Sequence, residues 1–391
     1  MTISELAVDE WRRLVDFDWS DEQREFRQAV RQFASRELTD GDGSIEWFRQ
    51  AWKKCAGFGI QGLAVAEEFG GAGADNLTVI GALEALGYAC PDNGLIFSLN
   101  AQMWACQHPI ERFGSADQKS KYLPGMCDGS LIGAHAMSEP GSGSDAFSLT
   151  TTATPIANGY RLNGSKTFVT NGPLADVFVV FARTPGTEGF SGLTGFLIEA
   201  GAPGLSVGPP FEKMGLHSSR MAEVFLDDCE VPASTMLGRK GGGMPVFAAA
   251  MEQERSMILA STIGTMERDL ERSVAHARDR RQFGQPIGKF QAVSHRLVEM
   301  KLRLETARLL LYRLGWLLDH DRPSSLDSSL VKLHLGESFV ASALDALQIH
   351  GGYGYMAEYG LESDVRDALA SRIYSGTSDI QRNLAARHMG L

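Results

Sequence analysis

A chain of 391 residues is too long for one simple hydrophobic core, so two or three packed units are expected. Hydrophobic content of 43% and charged content of 22% are those of a soluble globular protein. The 37 basic and 48 acidic residues leave a net charge of -11, which argues against holding nucleic acid or an anionic membrane by bulk charge; an anionic ligand would need a local arginine cluster. The five cysteines, Cys55, Cys90, Cys106, Cys127 and Cys229, form no C-x-x-C pair, which reads as reduced thiols rather than a disulfide framework or a metal site. "MTISELAVDEWRRLVDF" has no apolar signal core and no 18-residue apolar run follows, so the expected location is cytoplasmic.

From about residue 16 to 130 the pattern is helical. In "SDEQREFRQAVRQFASREL", Ser20 is a good N-cap with Gln23 three residues on, as in a capping box, and Phe26, Val30 and Phe33 recur at helical spacing. "ERFGSADQKSKYLPGM" reads as helix, Gly stop, a new N-cap at Ser115, helix and Pro stop. From about 131 to 240, "YRLNGSKTFVTNG", "DVFVVFARTPG", "LTGFLIEAG" and "AEVFLDDCEVP" are short β-rich runs, with "LNGSK" as a hairpin signal; together they predict a small antiparallel β-domain. From about 241, "AAAMEQERSMILASTIGTMERDLERSVAHARDR" and "FQAVSHRLVEMKLRLETARLLLYRLGWLLDHD" are long amphipathic patterns. "SSLVKLHLGESFVASALDALQIHGG" is a third and "DVRDALASRIYSG" begins a fourth, which implies a bundle. The expected domain bounds are 1–130, 131–240 and 241–391.

Four motifs carry chemistry beyond this texture. "MSEPGSGSD", Met137 to Asp145, is a turn rich in free backbone N–H groups; such turns bind anions or the polar edge of a heterocycle, and they also serve as ordinary loops. In "KTFVTNG", alternation puts Phe168 and Thr170 on one strand face, a ring and a hydroxyl suited to a flat cofactor or to a half-buried strand. "RDRRQFGQPIGKFQ" places Arg278, Arg280 and Arg281 at a helix end, where cations are stabilising in any case and where guanidinium would clamp a pyrophosphate. "LQIHGGYGY" holds Gly351, Gly352 and Gly354, more glycine than a C-cap needs.

In this order and spacing the set resembles the acyl-CoA dehydrogenase family of flavoproteins, from about residue 16 to the end. The resemblance also covers "FGIQGLAVAEEFGGAG" and "YSGTSDIQR". It implies an α+β multi-domain fold: an N-terminal α-helical domain, a central antiparallel β-barrel domain and a C-terminal four-helix bundle. It implies FAD as cofactor, gripped by two subunits of a homotetramer built as a dimer of dimers. It also implies electron-transfer flavoprotein or another acceptor as electron partner. Met137, Ser138, Gly143 and Ser144 match the turn beside the flavin and the substrate thioester, while Phe168, where Trp is usual, and Thr170 match the strand that covers the flavin face. Arg280, Phe283, Gln348 and Gly352 match positions that hold the FAD diphosphate and adenosine of the dimer mate. Thr377 and Asp379, the latter where Gln or Glu is usual, match a Gly-Thr-Ser loop that also touches FAD.

Many members carry a catalytic Glu immediately before that Gly-Thr-Ser; here the residue is Ser375, whose hydroxyl is too weak a base to take a proton from carbon. Isovaleryl- and long-chain-type members place the carboxylate on the first helix of the C-terminal domain, and "MEQERSMILA" puts Glu254 there. A buried Glu with raised pKa suits α-proton abstraction. Glu252, Arg255, Ser144, Ser375 and Gly376 match substrate-side positions. The implied function is FAD-dependent α,β-dehydrogenation of an acyl-CoA. The alternatives are the same chemistry on an acyl or aminoacyl group tethered to a carrier protein, an oxidase, and a non-catalytic flavin-binding scaffold.

Overall fold

The computed structural model describes residues 19–39, 41, 43–185, 192–322 and 324–391; the N-terminal "MTISELAVDEWRRLVDF" lies outside them. The first unit is helical: α1 (Asp21–Glu37), α2 (Ile45–Phe58), α3 (Asn76–Ala89), α4 (Asn93–Gln102), α5 (His108–Phe113) and α6 (Ala116–Cys127). Both Ser20/Gln23 and Ser115/Gln118 form complete capping boxes, each side chain satisfying the other residue's backbone N–H. Pro124, expected to stop α6, lies inside it. The helix continues to Cys127 because a proline one turn from the end removes a single ladder bond, and its own carbonyl still accepts from Asp128 N at 3.0 Å. Between α4 and α5 the backbone widens into one π-helical turn, Met103–Gln107, whose residues are all buried.

The middle unit is a sheet of β1 (Gly133–Ala136), β2 (Thr152–Ile156), β3 (Gly159–Thr170), β4 (Val177–Arg183), β5 (Leu193–Glu199), β6 (Leu205–Val207), β7 (Met221–Pro232) and β8 (Met236–Leu237). Its hydrogen-bonded order is β6-β7-β3-β2-β4-β5-β8. The sheet is predominantly antiparallel, and differs from the expectation at β4, which pairs in parallel with β1, Gly133 opposite Val177, and with β2, Thr152 opposite Arg183. β4 is buried on both faces. Val177, Val179 and Phe181 pack against Ile110 and Leu123 of the first unit, and Phe178, Val180 and Ala182 against Leu162 and Val224. "LNGSK" is not the hairpin. Asn163 and Gly164 sit inside β3 at a bulge where Gly164 takes φ +150, and a Cβ there would come within 2.4 Å of Thr151 Oγ1. The chain reverses instead at Ala157–Asn158, between Ile156 and Gly159.

The last unit comprises α7 (Gly243–Met257), α8 (Ala260–Asp279), a small hairpin of β9 (Arg281–Gln282) and β10 (Gln285–Pro286), then α9 (Gln291–Asp319), α10 (Ser325–His350), α11 (Leu361–Ala370) and α12 (Ser378–His388). The first amphipathic pattern, read as one helix, is two: the ladder breaks at Ile258–Leu259, and all four residues from Met257 to Ala260 are buried. The expected fourth helix is also two short ones, α11 and α12, joined by the loop Ser371–Thr377. The two helical units share one core, in which Val30, Trp52, Leu83 and Leu99 join Ile263, Leu304, Leu335 and Phe339. Gly87 and Gly264 let α3 and α8 cross closely; a Cβ on Gly87 would lie 1.9 Å from the Ser261 carbonyl oxygen. Among the described residues no helix is long and apolar enough to cross a membrane.

Candidate active site

The turn of "MSEPGSGSD" is fixed by a buried carboxylate. Glu139 exchanges two backbone hydrogen bonds with Ser142, both 3.0 Å. Its side chain accepts from Thr150 N and Oγ1 at 2.5 and 2.7 Å, from Thr151 N at 2.9 Å and from Lys166 Nζ at 2.8 Å. Burial alone would raise Glu139, but hydrogen bonds from Lys166, Thr151 and Thr150 bring it down to about 2. Lys166, fully buried on β3, is lowered by burial to about 8 and still carries its proton at neutral pH. The same ammonium donates to Met137 O at 3.2 Å, and Thr167 N donates to Ser138 O at 2.9 Å. These bonds dock Met137 and Ser138 against β3, leaving Gly143 and Ser144 exposed at the turn's outer edge.

A second bulge between Lys166 and Val169 turns the strand here. Phe168 lies within it and is exposed; Val169 after it is buried and Thr170 half-buried on the more open side. Phe168 holds φ +56 and is 65% exposed, a large ring presented by a strained backbone. Asn171 follows at φ +65, and its amide bridges Ser98 O and Gly133 O at 3.1 and 3.3 Å, tying this corner to α4 and β1.

Glu254 lies in the last turn of α7, buried, and its Oε1 accepts from Ser375 Oγ at 2.5 Å. Burial raises the Glu254 carboxyl; the Ser375 hydrogen bond and the charges of Arg255 and Lys332 oppose that rise. The structure thus brings together the two residues read separately from sequence, across 121 positions. Arg255 is half-buried, and its Nε lacks a hydrogen-bond partner among the described residues. Glu252 is engaged, its Oε1 accepting from Ser325 Oγ at 2.6 Å. Ser375 and Gly376 take φ +56 and +86, turning the loop so that Gln381 Nε2 reaches both their carbonyls, at 3.1 and 2.9 Å. Thr377 is the N-cap of α12, accepting from Ile380 N at 3.2 Å, and Asp379 is exposed and paired with Arg382. Lys332, at 2.8 Å from the Gly376 carbonyl, escaped the sequence reading. Its only signal was a lysine inside the apolar run "SSLVKLHLG".

Arg280 and Gly352 come together at the C-terminal end of α8, with Phe283 on the hairpin that follows it and Gln348 near the end of α10. Arg280 lies 5.5 Å over the Tyr353 ring, next to Gly352, and His276 stacks on His350 at 4.3 Å. Phe283 caps the β9–β10 turn at φ +49 and is 93% exposed. Twenty residues of α8 separate this group from α7, a rise of about 30 Å. The residues fit the cofactor: an exposed ring and hydroxyl for its flat part, an N–H-rich turn for its edge, and a guanidinium with adjoining glycines for its phosphates.

Profiles of the acyl-CoA dehydrogenase N-terminal, middle and C-terminal domains match residues 20–130, 134–229 and 241–390. An L-prolyl-[peptidyl-carrier protein] dehydrogenase of Pseudomonas fluorescens is 42% identical over 96% of this chain and 100% of its own. Among solved structures, the prolyl acyl carrier protein oxidase AnaB is 46% identical with a TM-score of 0.93, covering 96% of this chain and 100% of its own. PigA with FAD and proline is 40% identical with a TM-score of 0.93 over the same shares. Matched from its first helical unit to its last, this chain belongs to the acyl-CoA dehydrogenase family and is an FAD-dependent dehydrogenase of acyl thioesters.

Proposed function

We propose that the enzyme dehydrogenates the L-prolyl group of a carrier-protein thioester. The observation that carries this reading is the end-to-end likeness to relatives named for prolyl groups on carrier proteins. The position of the base supports it: with Glu254 on α7, position 375 carries only a serine, a smaller side chain beside a ring-substituted Cα than a Glu there would be.

Glu254 takes the proton from the substrate Cα. Its burial keeps the carboxylate basic, and the Ser375 hydroxyl orients it. The backbone N–H of Ser375 donates to the thioester carbonyl, stabilising the charge that develops there. FAD, when bound, supplies the acceptor for the hydride and its two electrons. Phe168 and Thr170 cover its ring, and Met137, Ser138, Gly143 and Ser144 line the ring edge and thioester. Arg280, Phe283, Gln348 and Gly352 of a second copy hold its diphosphate and adenosine, beside Thr377 and Asp379. Arg255, Glu252, Ser144, Ser375 and Gly376 line the substrate arm. The assembly is a homotetramer in the cytoplasm, with domains at 1–130, 131–240 and 241–391, and electron-transfer flavoprotein or another acceptor reoxidises it.

Anaerobic titration of the flavin band near ~450 nm tests the reading. Prolyl-carrier protein should bleach it faster than prolyl-CoA or straight-chain acyl-CoA. A straight-chain acyl-CoA bleaching it fastest would refute the prolyl assignment, and bleaching undiminished in Glu254→Gln would refute the base.

A further inference from the structure

We propose that Lys332 is a positioning residue for proton abstraction: its ammonium group pins the loop that carries Ser375 and sets the charge balance around Glu254. The inference rests on Glu254 being the base.

The loop Ser371–Thr377 is an unusual conformation that needs external holds. Ser375 is a non-glycine residue at φ +56, next to Gly376 at φ +86. A left-handed residue with a Cβ is strained and persists only where its surroundings fix it. Lys332, on α10 and 1% exposed, supplies that fixation: Nζ donates to Ser371 O at 2.9 Å and to Gly376 O at 2.8 Å, spanning the loop from one end to the other. Its ammonium sits 5.7 Å from the centre of the Tyr374 ring. One turn further along α10, Gly336 allows the Ser371 carbonyl to approach, and Glu337 accepts from Ser378 Oγ at 2.8 Å and pairs with Arg372 at 2.6 Å. The loop is thus seated on one face of α10, and Ser375 is the residue it holds out toward Glu254.

The charged and titratable groups around Glu254 come from four segments. Arg255 and Glu252 are on α7 itself, Lys332 and Glu337 on α10, Tyr374 on the loop with Ser375, and Cys106 on the π-turn. Burial pushes Cys106 and Tyr374 up, so both are neutral at neutral pH. Lys332, lowered by burial to about 8, is still protonated there, and its charge favours the ionised form of Glu254. Among the described residues it is the one cation that both bonds to the Ser375 loop and acts on the carboxylate. Removing its charge while keeping a donor should therefore leave the loop largely in place and raise the Glu254 pKa. The carboxylate would then be protonated up to a higher pH.

Infrared difference spectra of the holoenzyme, with Glu254→Gln identifying the Glu254 C=O band, would follow that band's loss as pH rises. In Lys332→Gln the midpoint should move up by about one unit or more, and in Lys332→Arg it should return toward wild type. Coupling is reciprocal, so in Glu254→Gln the Lys332 Nζ titration, read by NMR on 15N-lysine-labelled protein, should move down by a similar amount. This arm stands even where Lys332→Gln does not fold. An unmoved midpoint in Lys332→Gln, or an unmoved Lys332 titration in Glu254→Gln, overturns the proposal. Flavin bleaching by prolyl-carrier protein at the wild-type rate in Glu254→Gln overturns the base reading, and the proposal with it; an inert Glu254→Gln with unmoved midpoints overturns the Lys332 proposal alone.

Discussion

Replacing Lys166 by Met should destabilise the protein by about 3–5 kcal/mol, because it leaves a buried carboxylate without its counter-charge. The site is closed to water: the side chains of Lys166 and Glu139 are 0% and 4% exposed, with nitrogen and oxygen 2.8 Å apart. Held at about 2 against an ordinary 4.5, the Glu139 carboxylate contributes about 3 kcal/mol at neutral pH. That contribution is present above the ordinary value and is lost as pH falls from there through about 2. Lys166, lowered from 10.5 to about 8, offsets it by a similar amount, since burying its charge costs stability below about 8. The pair together is therefore close to neutral, and the damage comes from breaking it. Urea unfolding of wild type, Lys166→Met, Glu139→Gln and the double variant measures this directly. The double variant should be at least about 1 kcal/mol more stable than the sum of the single losses predicts. Flavin binding should weaken in Lys166→Met, since Met137 O loses its bond to the lysine. A Lys166→Met protein less than about 1 kcal/mol below wild type would refute the reasoning.

Glu254→Gln should slow anaerobic flavin reduction about 10²–10⁴-fold with little change in the bound-flavin spectrum, as stopped-flow absorbance would show. Ser375→Ala removes a hydrogen bond that lowers Glu254, so the rising limb of the pH–rate profile should move to higher pH; a limb at its wild-type position would contradict the 2.5 Å contact. Thr377→Val removes the N-cap of α12 and should cost about 1 kcal/mol in thermal or urea unfolding. Asp367 is raised by burial to about 6 from 3.8, so the folded state binds more protons over that interval and stability falls as pH rises through it. Asp367→Asn should remove about 3 kcal/mol of that slope between pH 4 and 6 in urea titrations.

Local chemistry made several parts of this fold readable. The two capping boxes were legible because Ser and Gln three residues apart satisfy each other whatever the tertiary context. Glu254 was singled out by the resemblance to isovaleryl- and long-chain-type members, and the loop does bring Ser375 to its carboxylate. The break at Ile258–Leu259 was hidden because burial on all sides keeps the residues apolar through the kink, so no polar residue marks it. Asn163–Gly164 misled because a bulge and a tight turn both need a glycine with unusual φ, and only pairing with β7 tells them apart. Phe168 could be placed on an open strand face but not in its left-handed backbone, which belongs to the bulge it lies in. Lys332 was invisible for a different reason: its partners, Ser371 and Gly376, lie about forty residues further along the chain, and without them a lysine in an apolar run has no meaning.

The contact between Glu254 and Ser375 joins segments 121 residues apart. Closing so long a loop costs entropy before any bond repays it, so this contact is expected to form late in folding, after the local helices. Until it forms, the carboxylate sits in water with the acidity of any glutamate. Burial, not that contact, raises the carboxyl, so the shifted acidity of Glu254 is a property of the finished tertiary structure and is missing from a partly folded chain of the same sequence.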